Sequence, residues 1–387
     1  MGLIYTDSGK CRLCYACVRH CPVKAIRIKE GQAQVVSERC IACSTCFRVC
    51  TQGARQYERS IETVRDMLAG GSPVIALLDP SFPAAFPDVA PGQVVSALQE
   101  LGFAEVMESA FGAELVAKEY RRLLERRKGE AIIVSQCPAV VSYIEKYQPH
   151  LIDNLAPIVS PPVAMGRLIK QRYNPAAKVV FIGPCLARKN EVTDSKVAGA
   201  LDAALVFAEL REMLAVKGID PSRQPLGQFS GPRPHAAAAL PIYGTILDLI
   251  SPPADFPPSS LISRQGQDCA MQVFRDLSQG NISAGLIDVY FCHCADSPFM
   301  GNELSLFQRN KLIAEYVESR VKPEQARGEL EEYADLNLKR TFTPQPVGGH
   351  NPQSRSWRKF WPVSADPSRR IGSTAELAAM TPAVRWP

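Results

Sequence analysis

A repeated spacing of cysteines near the start of this 387-residue chain restricts its structure more than any other feature. The first run is Cys11, Cys14, Cys17 and Cys21, followed by Pro22; the second is Cys40, Cys43, Cys46 and Cys50, followed by Thr51. Both read C-x2-C-x2-C-x3-C. Three thiolates so spaced cap three corners of one iron-sulfur cube, and the fourth, carried off on a short helical turn, reaches the other cube. The expected pairing is therefore crossed. Cys11, Cys14, Cys17 and Cys50 hold one 4Fe-4S cluster, and Cys40, Cys43, Cys46 and Cys21 hold the other. Zinc sites and disulfides also use C-x2-C pairs, but eight cysteines in two copies of the longer spacing argue against both. Between the runs, residues 25–28 and 33–36 alternate around Glu30-Gly31, which is hairpin chemistry.

These residues resemble the bacterial-type two-cluster ferredoxins over about the first 57 positions, with Thr51 where that family usually repeats the proline. Thirteen cysteines with iron-sulfur spacing point to a reducing compartment, because oxidised thiols do not bind iron. The start of the chain lacks a secretory leader, and no apolar run reaches the roughly 18 residues a bilayer crossing needs. A cytoplasmic protein without a membrane partner is expected. The net charge of +5 is a mild excess without a run of like charges, so nucleic acid is not an expected partner. An acidic electron carrier would suit it, although an ordinary solvated surface is the better explanation.

From residue 72 the pattern changes to short apolar runs separated by amphipathic helices, as strands buried on both faces of a parallel sheet require. Strands are expected at 74–78, 105–107, 131–134, 178–182, 203–206 and 286–291. Helices are expected at 60–68, 93–101, 113–127, 138–147, 163–173, 207–217, 308–321 and 323–333. Residues 221–260 receive no assignment. After about residue 348 neither cysteines nor any period remain, so a disordered tail is expected, with a slipped reading frame near residue 350 as its explanation.

Five cysteines fall in this second part. Cys137, Cys185, Cys292 and Cys294 each lie just beyond an expected strand. In a parallel sheet the carboxyl ends share one edge, and the crevice outside that edge binds ligands. Four thiolates there would satisfy a third cube. Small buried hydrophobes are the alternative, and that reading is adopted for Cys269, on an amphipathic stretch without a strand.

At these residues the chain resembles the iron-only (FeFe) hydrogenase large subunit family. Ser135-Gln136-Cys137-Pro138-Ala139, Gly183-Pro184-Cys185-Leu186-Ala187-Arg188-Lys189-Asn190-Glu191 and Cys292-His293-Cys294 stand where its three cluster motifs lie. Asp79-Pro80-Ser81-Phe82-Pro83, Phe111-Gly112-Ala113-Glu114-Leu115 and Ser160-Pro161 add to the likeness. The resemblance implies an α/β domain of two lobes with parallel sheets over residues 58–340, preceded by a small α+β ferredoxin domain at 1–57 and followed by a tail at 341–387. It also implies an H-cluster, a 4Fe-4S cube joined through one cysteine to a two-iron unit with carbon monoxide and cyanide. By position Cys137, Cys185, Cys292 and Cys294 would hold the cube, with Cys294 as the bridge. Arg188 would stand where a lysine contacts cyanide, oriented by Glu191. A redox partner protein and hydrogen are the implied partners.

Several departures from that family bear on activity. Gln136 replaces a proton-relaying cysteine, and an amide does not titrate where a thiol does. Gly183 replaces a methionine and is expected to leave that side unfilled. The third motif is shortened to C-x-C, whose side chains in an extended strand would point the same way about 6.6 Å apart. His293 ranks behind Cys292 as a ligand. The expected function is an iron-sulfur electron-transfer protein resembling a divergent, sensory FeFe hydrogenase, which senses hydrogen or turns it over slowly. The alternative is a redox-signalling protein with three 4Fe-4S clusters and no two-iron unit. A scaffold in which only the two ferredoxin clusters survive comes third.

Overall fold

Two antiparallel strand pairs organise the cysteine-rich start of the chain in the computed structural model, which describes residues 2–127, 129–239, 246–252, 256–283, 285–319, 330 and 332–347. Strand β1 (Ile4–Thr6) lies against the fourth strand of this region, with Thr6 opposite Arg55. Strands β2 (Ile26–Lys29) and β3 (Gln32–Val35) form the expected hairpin. Its two turn residues, Glu30 and Gly31, have φ of 52° and 69°, the backbone twist that closes a two-residue hairpin. Strand β4 (Arg55–Tyr57) completes the pair with β1.

The second part is built on two parallel sheets. Strands β5 (Val74–Leu78), β6 (Glu105–Glu108), β7 (Ile132–Ile133), β8 (Lys178–Gly183), β9 (Ala203–Val206), β10 (Leu261–Gln265) and β11 (Leu286–Tyr290) follow in chain order. One sheet runs β6-β5-β8-β9 and the other β10-β11-β7, all neighbours parallel. Every residue of β5 is buried, which is why its apolar run is continuous. A single core joins the sheets, with Leu77 and Phe181 from one and Ile132 and Leu286 from the other packed around Val116, Tyr120 and Met165. The helices Phe111–Arg126 and Pro161–Leu168 cross so closely that a Cβ on Gly112 would sit 2.1 Å from the Pro161 carbonyl oxygen.

Most expected elements are present within a few residues of their sequence bounds. Around Cys269 the expectation fails: β10 and the helix Gln267–Ser278 occupy that stretch, and Cys269 is exposed. Strand β10 escaped detection because it is an edge strand whose five residues are only partly buried or exposed, so its pattern is not apolar. Strand β11 stops at Tyr290, so Cys292 to Cys294 are not extended; a bend leads into a 3-10 turn at Cys294–Asp296. The helix Leu306–Glu318 starts earlier than its apolar period, because Ser305 and Gln308 cap it reciprocally. Residues 341–347, expected to begin the tail, instead pack on the helix Pro138–Tyr147, where Thr343 N–H donates to Glu145 Oε1 at 3.1 Å and Gln345 N–H to the Glu145 carbonyl at 2.8 Å. The rest of the expected tail and most of the expected 323–333 helix lie outside the described residues. Among the described residues no helix is long and apolar enough to cross a membrane.

Candidate metal centre

Backbone conformation in the two cysteine runs repeats position by position. Leu13 and Tyr15 have φ of 52° and 60°, and their counterparts Ala42 and Ser44 have 56° and 64°. Lys24 and Gly53, each three residues past the fourth cysteine of its run, have 50° and 58°. Such a conformation costs a non-glycine residue about 1–3 kcal/mol and persists where the surrounding structure over-determines it. Here it turns amides toward sulfur. Ala25 N–H donates to Cys21 Sγ at 3.2 Å, Ala54 N–H to Cys50 Sγ at 3.3 Å and Ala42 N–H to Cys40 Sγ at 3.4 Å.

Cys21, Cys40, Cys43 and Cys46 line one small apolar cavity of about 20 Å³, together with Val23, Ile26 and Ile41. One cavity thus gathers the crossed set. Burial pushes the Cys43 thiol up to about 12, with Cys21 and Cys40 adding to the effect, and Cys46 is raised for the same reasons. In the other half, Cys14 is exposed and Arg55 Nη2 donates to Cys17 Sγ at 2.9 Å. The Leu13 N–H is the main cause holding the Cys11 thiol below its ordinary value. Among the described residues no three Cys, His, Asp or Glu side chains are gathered as for a single metal ion.

The three later motifs meet pairwise at the carboxyl edges of the two sheets. Cys137 caps the helix Pro138–Tyr147, and the amides of Val140, Phe291 and Ala139 pull its thiol down against a larger upward push from burial. The first motif is thereby in contact with the residue preceding Cys292. Arg188 Nη2 donates to the Gln136 carbonyl at 2.9 Å, joining the first motif to the second. Ser297 Oγ donates to the Pro184 carbonyl at 2.7 Å, joining the second to the third. Burial opposes the charge on Arg188, but Glu191, Cys185 and Cys137 outweigh it and hold the guanidinium above its ordinary value. Of Cys294 only the backbone is described. His293 is occupied on its own side, with Nδ1 2.9 Å from Gln265 Oε1 at the end of β10.

Charge alternates through this crevice. Arg188 Nη1 lies 2.5 Å from Glu191 Oε2, Glu191 Oε1 3.1 Å from Arg340 Nη1, and Arg340 Nη2 2.7 Å from Asp194 Oδ2. The expected pairing of Arg188 with Glu191 is present, and Arg340 extends it. Nothing in the sequence marks Arg340; an antiparallel bridge between Ile158 and Lys339 delivers it. Tyr120 was equally illegible, yet its hydroxyl accepts the Ser135 N–H at 2.9 Å and anchors the first motif. The space beside Gly183 is not open, contrary to expectation. A Cβ there would stand 2.5 Å from the Phe181 ring and 2.8 Å from Asp79 Cβ. Gln136 Nε2 and Ser160 Oγ are buried and have no hydrogen-bond partner among the described residues. Buried donors seldom stay unmatched, so the crevice has the chemistry to accept a polar or anionic group. Thiols with amide donors, and the unmatched Gln136 amide next to Cys137, fit an iron-sulfur cube.

Comparisons with known proteins follow this geometry. Residues 72–248 match the iron only hydrogenase large subunit, C-terminal domain, and residues 3–51 match the 4Fe-4S dicluster domain. The NADP-reducing hydrogenase subunit HndD of Solidesulfovibrio fructosivorans is 28% identical over 62% of this chain and 49% of its own length. The periplasmic Fe hydrogenase large subunit of Nitratidesulfovibrio vulgaris is 26% identical over 63% and 65%. The chain thus spans about half to two thirds of these relatives. The cytosolic Fe-S cluster assembly factor NAR1 of Yarrowia lipolytica is 27% identical over 42% of this chain and 37% of its own. A solved HydA structure describing stepwise FeFe-hydrogenase H-cluster assembly superposes with a TM-score of 0.61 at 15% identity, covering 75% of this chain and all of that one, a likeness of fold.

Proposed function

We propose that this chain, an iron-sulfur protein that joins a 4Fe-4S dicluster domain to the C-terminal domain of an iron-only hydrogenase large subunit, is a redox relay rather than a fast hydrogenase. In this reading Cys11, Cys14, Cys17 and Cys50 hold one cube, and Cys21, Cys40, Cys43 and Cys46 a second. Cys137 and Cys185, with Cys292 or Cys294, hold a third iron-sulfur group at the crevice. The observation that carries the reading is the pairwise contact of the three later motifs through Arg188, Phe291 and Ser297. A bound cube supplies one-electron redox chemistry; the chain's own residues hold it and exclude water.

Hydrogen turnover would need a proton donor beside the metal. Gln136 occupies the place of a thiol and does not titrate. Phe181 and Asp79 fill the side of Gly183, where a two-iron unit would need contact. Arg188 is held by Glu191 and the Gln136 carbonyl. These features favour three cubes without a two-iron unit over a sensory or slow H-cluster. An acidic electron carrier is the proposed partner: residues 1–57 hold nine Lys and Arg against three Asp and Glu, more than the whole chain's net +5.

Iron analysis of the reconstituted protein tests this, at about 12 atoms per chain for three cubes, about 14 with a two-iron unit and about eight with the first domain alone. Infrared bands of metal-bound carbon monoxide and cyanide after maturation would overturn it. A second reading, iron-sulfur cluster assembly, draws support from the NAR1 relative. It requires a labile cube: transfer of iron from the crevice to an apo-acceptor at a useful rate favours assembly, and retention favours the relay.

A further inference from the structure

The two halves of the dicluster domain repeat closely, with one exception. Counted from the fourth cysteine of each run, Ala25 matches Ala54, both donating an amide to sulfur, and Ile26 matches Arg55. Ile26 is buried among Cys17, Cys21 and Ile41. Arg55 is as deeply buried, 5% exposed against 7% for Ile26. Placing an ion in an apolar slot is costly unless an opposite charge lies against it. Among the described residues no Asp or Glu forms an ion pair with Arg55. Its Nη2 instead donates to Cys17 Sγ at 2.9 Å, and its Nη1 to Thr6 Oγ1 at 2.8 Å. Thr6 stands opposite Arg55 in the β1–β4 register, and its hydroxyl in turn donates to the Ala33 carbonyl, so the guanidinium is aimed and held. Arg55 Nε has no hydrogen-bond partner among the described residues.

We propose that Arg55 sets the order of potentials within the dicluster domain, raising the cluster of Cys11, Cys14, Cys17 and Cys50 above that of Cys21, Cys40, Cys43 and Cys46. This rests on the ligand sets proposed above. An added electron makes a cube more negative, so a cation and a hydrogen bond at its sulfur favour the reduced form. In the matching slot Ile26 supplies neither. The charge of Arg55 also reaches Cys40 and Cys46, but the hydrogen bond goes only to the first set. That set is the outer one. Cys14 is exposed, whereas the second run touches the hydrogenase-like part through Thr45 Oγ1 on Gln267 Oε1 at 2.9 Å and Lys146 Nζ on the Cys40 carbonyl at 2.8 Å. Electrons leaving the crevice therefore run downhill to the surface, where a carrier collects them.

The test is a potentiometric titration of the reconstituted full chain, followed by electron paramagnetic resonance, with Arg55→Met and Arg55→Lys. In Arg55→Met the signal altered by Cys14→Ser shifts to lower potential, at least tenfold in the electron's distribution between clusters, which is 59 mV for one electron. Arg55→Lys shifts less. If Arg55→Met loses the outer cluster outright, Arg55→Lys decides: a smaller shift to lower potential supports the proposal, and an unmoved potential overturns it. Unmoved potentials in a protein with both clusters intact overturn the proposal alone. A wild-type chain that takes up no second cluster overturns the ligand sets and the proposal together.

Discussion

The eight cysteines between Cys11 and Cys50 bring their backbone geometry with them, whereas Cys137, Cys185 and Cys292 come from the ends of three strands in two sheets. In the first region the same φ pattern is built twice from local sequence. In the second nothing local repeats, and buried side chains make the contacts: Arg188 to Gln136, Ser297 to Pro184, Tyr120 to Ser135. The lesson concerns tolerance. A local cradle depends on spacing and fails when one cysteine goes, while a convergent crevice keeps its shape through substitutions such as Gln136 and Gly183 and loses chemistry instead.

The largest expected effects break the local half. Cys21→Ala and Cys46→Ala should each remove the same cluster, and Cys50→Ala the other, with about four iron atoms lost each time. If Cys21→Ala and Cys17→Ala erased the same resonance signal, the crossed assignment would be wrong. Cys137→Ala should likewise cost about four iron atoms while leaving both ferredoxin signals intact.

Next in size is the charge network of the crevice. Glu191→Ala leaves Arg188 and Arg340 without their shared carboxylate, and a buried pair broken on one side costs about 3–5 kcal/mol in urea unfolding. Gly183→Ala forces a methyl against Phe181 and Asp79 and should destabilise by about 1–3 kcal/mol; a neutral result would mean that this side of the crevice has room.

The gentlest effect is a pH dependence confined to the metal-free chain. Burial raises the Cys21, Cys40 and Cys46 thiols, so the fold favours them protonated. That stability is present below the ordinary thiol value near 8.5 and lost as pH rises through the elevated values. Urea midpoints at about pH 7 and about pH 9.5 should fall for the metal-free protein and hold for the loaded one, whose thiolates are already ligated.

Much of this was legible without coordinates. Strands β5, β8 and β9 and the helices Pro138–Tyr147 and Phe207–Lys217 stand where apolar period and propensity put them. Edge strand β10 was not legible, because pairing on one side leaves it partly exposed and its residues need not be apolar. Cys269 was misjudged for the same reason: the helix behind β10 turns it outward. The segment 341–347 shows no period because it is held by backbone bonds to Glu145 and Lys146.

By itself the order of residues determined the ferredoxin cradle, since three ligands spaced three positions apart wrap one small object and the fourth, four positions on, reaches the next, and it determined that later cysteines follow strands. Tertiary structure alone decided that Arg340 completes the Arg188–Glu191 network, that Asp79 closes the space beside Gly183, and that Arg55 lies buried against Cys17. Each is a contact between segments remote in sequence, fixed by strand register and packing, and no spacing encodes it.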